Sequence, residues 1–594
     1  MAKKEEPVDK NSTSAIATLM ANQKSDFSEL VNRMDGDRDL YKLTDYAMKD
    51  SAGRKIPKIE NITRNKPQVI ANHIISKLNT SLPRWTVKSR TLDDKQTTYI
   101  ENFLDDLFKT INRNMVLREI PSLQFWAFQQ GALRGRIATR IALRKDAAKS
   151  GRIGLVDLAP MDARYLTYET NENGLENMSY STFRGAGQIR ERYGLSLSDK
   201  DIEIKDHWNK EINAIFIGSK TATPGGTGRQ TSPVYIPQKS EVHPNIYKYV
   251  PGVISIVPLG LFMADANNIR WHGESLYAML RDTFEYINKQ ASIIATINMR
   301  SLNNPKTITS NDEESFPIMP EGDPEATGAL TPLKKGEKID VLAAKDITGA
   351  AQFMFRWLKD DEQSGGLSDN ILGTGASGLP ASQLKQLALA ESVLMAPILM
   401  AVKEFYQGVA RMVISQVLQL KLTMEVGMLG FEETYKWNEL DGKYSIEVDF
   451  TPQDPVQDIA NLAIAETARS VGLSQETIDR DILKLRNPTE EKSRRDFERM
   501  RDQDPIMDMY LMVHSLINER ESAPDSMKKR KDMMAKRAAQ RCIDMVVNER
   551  LQKEEPKVQQ GGSPPKALGP GGQLTGLLTG GGGAAPPPAV RSEV

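Results

Sequence analysis

A glycine-rich segment is the part of this sequence that comes closest to a known chemical motif. Gly373, Gly375 and Gly378 in GTGASG have the spacing G-x-G-x-x-G, which in dinucleotide-binding proteins brings free backbone N–H groups to a pyrophosphate at a helix start. Such a site also needs a buried strand directly before the glycines. The preceding SGGLSDNIL is polar and typical of a helix end. We interpret GTGASG as a flexible loop; the alternative, a nucleotide-binding hydrolase, predicts saturable nucleotide binding that Gly375→Ala abolishes.

Other groups of reactive residues give weak signals. The five histidines are scattered without HExxH or paired ligand spacing, and the single cysteine, Cys542, excludes an internal disulfide and a thiolate zinc site. PGGTGRQTS at 224–232 lacks the Lys-Ser/Thr ending of a Walker loop and is typical of a hairpin tip. The acidic groups at 312–314 and 360–362 lie in polar stretches typical of solvated loops. We expect no catalytic centre, no metal and no cofactor.

The most basic stretch is 527–541, MKKRKDMMAKRAAQR. Its spacing distributes the charge around a predicted helix, and a solvated helix face is the usual outcome of such a run. Contact with nucleic-acid phosphates is the alternative.

The overall composition indicates a large, folded, multi-part protein. Its 594 residues exceed the usual size of one domain, and its 78 basic residues balance 78 acidic ones. A chain without a global positive field makes only local or weak contacts with DNA. The opening MAKKEEPVDKNSTS lacks the apolar core of a secretory signal, and the apolar run at 250–263 is too short to span a bilayer and is broken by Pro and Gly. We expect an intracellular protein without membrane spans.

Apolar spacing divides the first half of the chain into helical and β regions. Residues 26–145 show apolar residues at three- and four-residue spacing, which predicts helices that extend through GRIATRIALR, with RWTVKS as a short strand between them. Residues 151–263 are rich in short β-branched and aromatic runs, including NIYKYV, which predict strands around one short helix, GAGQIRERYG. A long helix is then predicted at 273–300.

The second half is predicted to be mainly helical. Residues 303–340 are rich in Pro, Gly and acidic residues and indicate a protruding lobe. Helices are predicted at 346–361 and from 381 to about 423, and Pro397 inside the second one is expected to kink it. After the strand KYSIEVDFTP, four helical stretches follow to about residue 552, and the final Gly/Pro-rich residues cannot bury enough apolar surface to fold.

The order of these parts over residues 55–552 resembles that of a tailed-bacteriophage portal protein, the head–tail connector. NKPQVIANHIISKLNTSLPRWTV is similar to the early helix and strand of portals, and LAPMDARYLTYETNENGLENMSYSTFRGAGQIRERYG to their wing. The helix, lobe and return helix at 273–361 resemble the stem and clip. GTGASGLPASQLKQLALAESVLMAPILMAVKEFYQGVARMVI resembles the tunnel loop with its kinked helix, and TPQDPVQDIANLAIAETARSVGLSQETI the crown.

The resemblance implies an α+β portal fold with a helical and β wing, a two-helix stem, a small α/β clip and a helical crown. The implied divisions are a disordered tail at 1–25, the first wing part at 26–272, a stem helix at 273–302, the clip at 303–345, a second stem helix or wing helix at 346–370, the tunnel loop at 371–383, the kinked long helix and second wing part at 384–454, the crown at 455–552 and a disordered tail at 553–594.

It also implies which residues meet DNA and partners. The tunnel loop would carry Gly373, Thr374, Gly375, Ala376, Ser377, Gly378 and Leu379 into a channel, with Lys385 as the nearest phosphate contact or, equally, a solvated lysine. The clip would present Glu313, Glu314, Lys334 and Lys335.

As a portal the protein would form a homo-dodecameric ring at one capsid vertex and conduct double-stranded DNA independently of its sequence. Its expected partners are the major capsid protein, the terminase large subunit that supplies the packaging motor, head–tail adaptor and tail proteins, and a scaffold protein. It would assemble in the host cytoplasm and reside in the virion, without catalytic activity. Another structural head component, a scaffold or an adaptor, is the alternative within the same class.

Overall fold

The structure is a computed structural model. The chain consists of two compact units, Met1–Glu491 and Lys492–Val594. The residues that the structure describes are 11–145, 153–197, 201–221, 235–262, 272–302, 306–309, 338–341, 353–360, 381–451, 455–483, 488–503, 505–522 and 525–554.

Unit 1 combines helices with antiparallel-rich sheets, which confirms the predicted α+β class. Its described helices are α1 (Thr13–Asp26), α2 (Ser28–Lys42), α3 (Lys66–Asn79), α4 (Asp94–Val116), α5 (Leu123–Arg134), α6 (Ala186–Tyr193), α7 (Arg281–Leu302), α8 (353–360), α9 (Ala381–Leu420), α10 (Pro455–Ser470) and α11 (Gln475–Thr477), the last continued by a π turn at Ile478–Ile482.

The strands of unit 1 are β1 (Leu82–Ser89), β2 (Arg136–Lys145), β3 (Ile153–Met161), β4 (Leu166–Asn171), β5 (Gly174–Arg184), β6 (Ile202–Asn209), β7 (Ile212–Thr221), β8 (Tyr235–Pro244), β9 (Gly252–Ile256), β10 (Lys306–Thr309), β11 (Lys338–Val341), β12 (Thr423–Met428), β13 (Phe431–Tyr435) and β14 (Tyr444–Thr451).

These strands form two five-stranded sheets and two strand pairs. The first sheet has the order β13-β12-β3-β2-β9, antiparallel except for the β12–β3 pair. The second is the antiparallel meander β4-β5-β6-β7-β8. β1 pairs with β14, and β10 with β11. The pairing of β1 with β14 joins residues that are more than 350 positions apart, so unit 1 folds around long-range contacts.

The main core lies between the first sheet and helices α3, α4 and α5, with α9 at its centre. The buried face of α9 includes Val402, Phe405, Val409 and Val413, all fully removed from solvent. The segment Ser392–Leu420 is long and apolar enough, at a mean hydropathy of 1.2, to meet the criteria for a membrane span. The helix packs against β2, β9, β14 and α5, so its apolar composition is that of a core helix.

The helix α9 confirms the predicted forty-residue helix. It begins at Ala381 and continues past Pro397 without interruption to Leu420. The Val253 side chain of β9 packs directly on Gly408 of this helix, because a Cβ atom at Gly408 would come within 2.7 Å of a Val253 methyl group. The helix also satisfies the sheet: the buried amide of Gln416 donates to the Ile141 carbonyl (2.8 Å) and accepts from the Leu143 N–H (2.9 Å). Both backbone groups belong to the part of β2 that extends beyond its pairing with β9.

The N-terminal tail prediction is wrong from residue 13 onward. α1 begins at Thr13 with the Ser12 hydroxyl as its cap, and it buries Ile16 and Met20 against Ala214 and Phe216 of the second sheet. Ile16 and Met20, four positions apart, are the only buried apolar residues within α1. So small an apolar face is a weak helix signal in the sequence.

Two other predicted elements are also wrong. GRIATRIALR forms strand β2 rather than helix, because Gly135 ends α5 in the left-handed region (φ 69°) and the strand is buried on both faces, which removes the alternating pattern of a strand. NIYKYV forms a turn, because the Asn245 side chain accepts from the Tyr247 N–H (3.0 Å) and donates to the Asn209 and Tyr249 carbonyls (both 2.7 Å).

The C-terminal region is helical as predicted. α12 (Pro488–Gln503) crosses the boundary between the units, and α13 (Pro505–Ser522) and α14 (Asp525–Glu554) form an antiparallel hairpin in unit 2. The Cys542 thiol lies 3.8 Å from the Ile506 carbonyl across this hairpin.

Candidate functional site

Most residues of the predicted channel lie outside the described residues. These are Gly373, Thr374, Gly375, Ala376, Ser377, Gly378 and Leu379 of the tunnel loop and Glu313, Glu314, Lys334 and Lys335 of the clip. Lys385 lies in the first turns of α9, and Pro397 lies in the same helix, half-buried. The roles given to these residues stay predictions.

The elements on either side of the glycine loop bear on its chemistry. The last described element before it is the helix α8, and α9 begins immediately after Pro380. A dinucleotide site needs a strand that ends at the glycines, so that the helix dipole and the loop amides converge on the phosphates. The twelve residues between α8 and Gly373 lie outside the described chain, so the interpretation of GTGASG as a flexible loop stays a prediction.

A helical arm is the feature around which the described residues build a site. It consists of α7, the two-stranded pair β10–β11 and α8. β10 follows α7 directly, and β11 pairs with it over four residues, with Ile308 opposite Ile339. The 28 residues between β10 and β11 lie outside the described chain. The predicted lobe at 303–340 is therefore bounded by a short antiparallel pair.

The arm begins at a close contact between two glycines. Gly135 and Gly273 both have positive φ (69° and 70°), and a Cβ atom on either would lie 2.5 Å or less from the carbonyl oxygen of the other. No other residue fits at these two positions. The contact fixes the position of the chain where it leaves the first sheet. The helix α7 begins at Arg281, not at the predicted residue 273.

A network of ion pairs attaches the first turn of α7 to α2. The Arg281 guanidinium donates to both carboxylate oxygens of Asp37 (2.6 and 2.9 Å) and to Glu274 (2.9 Å), and Arg33 donates to the other oxygen of Glu274 (2.7 Å). Burial lowers the pKa of Arg281, but hydrogen bonds and charges from Asp37 and Glu274 outweigh burial and raise it. The Asp37 side chain is only 3% exposed. Partly buried bidentate pairs of this kind fix geometry strongly.

A ladder of hydrogen bonds then follows α7. The backbone N–H groups of Glu60, Ile62 and Arg64, in an extended strap at 59–64, donate to the side chains of Thr296 (3.0 Å), Ser292 (2.9 Å) and Asn288 (3.0 Å). Two residues of extended chain advance about 6.6 Å and four residues of helix about 6.0 Å. This match lets every second strap amide meet every fourth helix residue.

The polar groups of this ladder are fully satisfied although they are buried. The hydroxyl groups of Ser292 and Thr296 accept from the strap and also donate to the carbonyls of Asn288 (2.8 Å) and Ser292 (2.7 Å). On the opposite edge of the strap, the side chains of Asn61 and Thr63 accept from the Met48 and Tyr46 amides. A buried polar contact with all its hydrogen bonds made is stable and specific.

The strap also meets the return helix of the arm. The Arg64 guanidinium lies 6.0 Å from the ring centre of Phe355 in α8. On the outer face of α8, Phe353 and Trp357 are one helical turn apart and 72% and 51% exposed. Tyr286 of α7 is also half-exposed. The arm is thus oriented by polar contacts with the rest of unit 1, and it carries exposed aromatic side chains.

In the described part of the chain, no cluster of three or more His, Cys, Asp and Glu residues could hold a metal. Sequence reasoning missed the Asp37–Arg281 network and the strap, because their partners are 224 to 244 residues apart. The four-residue spacing of Asn288, Ser292 and Thr296, which places three uncharged polar residues on one face of the helix, was the available signal.

Comparison with known proteins gives little further information. No protein-family model matches the chain, and no curated protein matches it. Among solved structures, 70% of the chain is similar to 89% of a chain from a structure described as the neck of an empty GTA particle computed with C6 symmetry, at 10% sequence identity and a TM-score of 0.34. A TM-score this low does not establish a shared fold.

Proposed function

We propose that this protein is the portal subunit of a tailed bacteriophage, a homo-dodecameric ring that conducts double-stranded DNA into and out of the capsid. The observation that carries the proposal is the arm of α7, β10–β11 and α8, attached by a polar network to a mixed α/β body and followed by the long helix α9. The order of these elements is the order that the sequence resemblance implies for stem, clip, tunnel loop and wing.

The outward-facing aromatic residues of the arm suit a ring. A cyclic assembly is closed by heterologous contacts, in which one face of a subunit meets a different face of the next. Phe353, Trp357 and Tyr286 supply apolar area of the kind that such contacts bury. The balanced charge of the chain suits a conduit, since a strongly basic channel would hold each phosphate through counterion release.

In this role the protein acts through its partners rather than by catalysis. A separate terminase supplies the energy for packaging and docks on the clip at 303–345, and adaptor and tail proteins later occupy the same surface. The major capsid protein surrounds the ring at one vertex of the virion, and a scaffold protein assists assembly.

The mass of the purified full-length protein tests the assembly. A chain of 66.3 kDa predicts a dodecamer of about 800 kDa in mass photometry. Trp357→Glu places a charge in the proposed contact and should shift the particles towards monomers. The matched control is Val242→Glu, an exposed apolar residue on β8 outside the arm, which should leave the mass unchanged. Monomers of the unmodified protein at micromolar concentration would contradict the proposal.

Deletion of 373–378 tests the role of the glycine loop separately. Because the loop is proposed to move in the channel, its deletion should spare the ring and impair DNA packaging or retention in an in vitro packaging assay. A ring that fails to assemble without the loop would instead make the loop part of the subunit interface.

A further inference from the structure

A cavity of about 410 Å³ lies between helices α1 and α2 and one face of the second sheet. Its floor is polar: Thr167 of β4, Ser179 and Ser181 of β5 and Lys205 of β6 line it, and the strand register places Thr167 beside Ser179 and Ser181 beside Lys205. The other face of the same sheet is apolar and packs Ile202, Ile204 and Ile217 under α6. The face of the second sheet that lines the cavity therefore carries hydroxyl groups and an ammonium group, whereas the opposite face is packed with apolar side chains.

The charges around this cavity favour an anion. Among the described lining residues, Lys24 of α1 and Lys205 face one acidic side chain, Glu203, while Arg164 is matched by Asp35 through two hydrogen bonds (3.0 and 3.1 Å). Lys205 is only 6% exposed. Burial lowers the pKa of Lys205, Glu203 opposes that effect, and the charge of Lys24 adds to it. An anion between Lys24 and Lys205 would lower the repulsion between the two lysines.

The remaining lining provides an apolar end. Phe27, the residue between α1 and α2, and Phe183 of β5 line the cavity together with Tyr165. The rings of Tyr165 and Phe183 meet edge-to-face at 5.5 Å between centres. Phe183 is half-exposed, so this aromatic pair lies towards the solvent. Pockets for small ligands combine apolar walls with a few convergent polar groups in volumes of roughly 300–1,000 Å³.

We propose that this cavity binds a small organic oxyanion, a phosphate or carboxylate that carries one aromatic or apolar group. The ammonium of Lys205 and the hydroxyl group of Ser181 hold the oxyanion, Lys24 closes over it from α1, and the apolar group lies against Phe27 and Phe183. Binding links the N-terminal helices to the second sheet and is independent of the ring and of DNA.

Calorimetry on the full-length protein at pH 7.5 tests this with phenyl phosphate, inorganic phosphate and benzyl alcohol as probes. Phenyl phosphate should bind, inorganic phosphate more weakly, and the neutral alcohol not at all. Lys205→Met should weaken phenyl phosphate by at least about 10-fold, because it removes a charge-assisted hydrogen bond. Lys24→Gln should weaken it by about 3-fold, since that lysine is exposed. Lys239→Met, on β8 of the same sheet, is the matched control and should change nothing.

Absence of binding heat with phenyl phosphate, or an affinity that Lys205→Met leaves unchanged, would overturn the proposal. Binding of an acidic peptide without binding of phenyl phosphate would also overturn it, since the cavity would then take a protein segment. If Lys205→Met does not fold, the exposed Lys24→Gln and the isosteric Ser181→Ala keep the test valid: both must weaken phenyl phosphate, and full affinity in both would count against the site.

Discussion

The two long helices α7 and α9 are held in the same unit by different forces. α9 is surrounded by apolar side chains such as Phe405 and Val409, with one buried glutamine, Gln416, bonded to the sheet. α7 also buries Phe284 in this core, but in addition it is attached by an ion-pair network at its first turn and by a hydrogen-bonded strap along its length. Apolar burial is strong and non-directional, whereas satisfied hydrogen bonds fix direction and register at a smaller net gain.

The two helices therefore differ in how much apolar surface they leave exposed. α9 has little apolar surface left over near its centre, since Ala401, Val402, Phe405 and Val409 are fully buried. α7 is oriented by polar contacts on one side, and Tyr286, Met299 and, on α8, Trp357 stay exposed. Under the proposed function, neighbouring subunits of the ring cover this exposed apolar surface.

Removal of core volume on α9 should have the largest effect. Phe405→Ala deletes a fully buried ring that packs against Trp126 and Tyr406, and the expected loss of unfolding free energy is about 3–5 kcal/mol. Urea unfolding followed by far-UV circular dichroism measures it. Met400→Ala, half-exposed on the same helix, is the control and should cost much less.

Loss of one carboxylate at the first turn of α7 should rank second. Asp37→Asn leaves the Arg281 guanidinium with Glu274 as its remaining carboxylate partner, which should cost about 3 kcal/mol and release the start of the helix. Hydrogen exchange of the residues at 281–285 should become faster. Asp39→Asn on the same helix removes a half-exposed ion pair with Arg38 and should leave that exchange unchanged.

A third buried polar contact, the hydrogen bond between His207 and Ser179, extends the comparison because it should make the stability of the protein depend on pH. Burial lowers the pKa of His207 from 6.5 to about 4, and the side chain bonds to Ser179 (2.8 Å). The unfolded chain therefore binds the proton first, so stability decreases as the pH falls from 6.5 to 4, by about 3 kcal/mol in all. His207→Gln should flatten this dependence in thermal unfolding between pH 7 and 4. His243→Gln, at an exposed site, should not.

The hydrogen-bond ladder should show the smallest effect. Ser292→Ala removes the acceptor of the Ile62 amide, and we expect a cost of about 1–2 kcal/mol with faster hydrogen exchange at residues 60–64. The control Lys289→Ala changes an exposed side chain of the same helix. If both variants exchange equally at the strap, the ladder does not hold the helix.

The sequence predicted the elements that repeat a local pattern and missed those that depend on distant partners. The forty residues of α9, the strand β14 and the C-terminal helices follow from apolar spacing and caps, and the structure confirms them. β2 was assigned to a helix because a strand buried on both faces shows no alternation. α1 was missed because Ile16 and Met20 become a buried face only when Phe216 lies opposite.

The candidate site divides in the same way. The glycines of GTGASG and the lobe at 303–340 stand out in the local sequence, although the glycines and all of the lobe except β10 and the start of β11 lie outside the described residues. The contact of Gly135 with Gly273, the Asp37–Arg281 pair and the Ser292 ladder each join segments more than a hundred residues apart. A single sequence contains no signal for which residues meet over that distance.

Negative-stain electron microscopy of the purified full-length protein tests the central claim most directly. Because the arm is fixed to its own subunit and open to its neighbours, closed rings with about twelve-fold rotational symmetry and a central hole are expected. Top views should show the hole at a diameter that admits a DNA duplex. Monomers at high concentration, or open filaments in place of closed rings, would contradict the account.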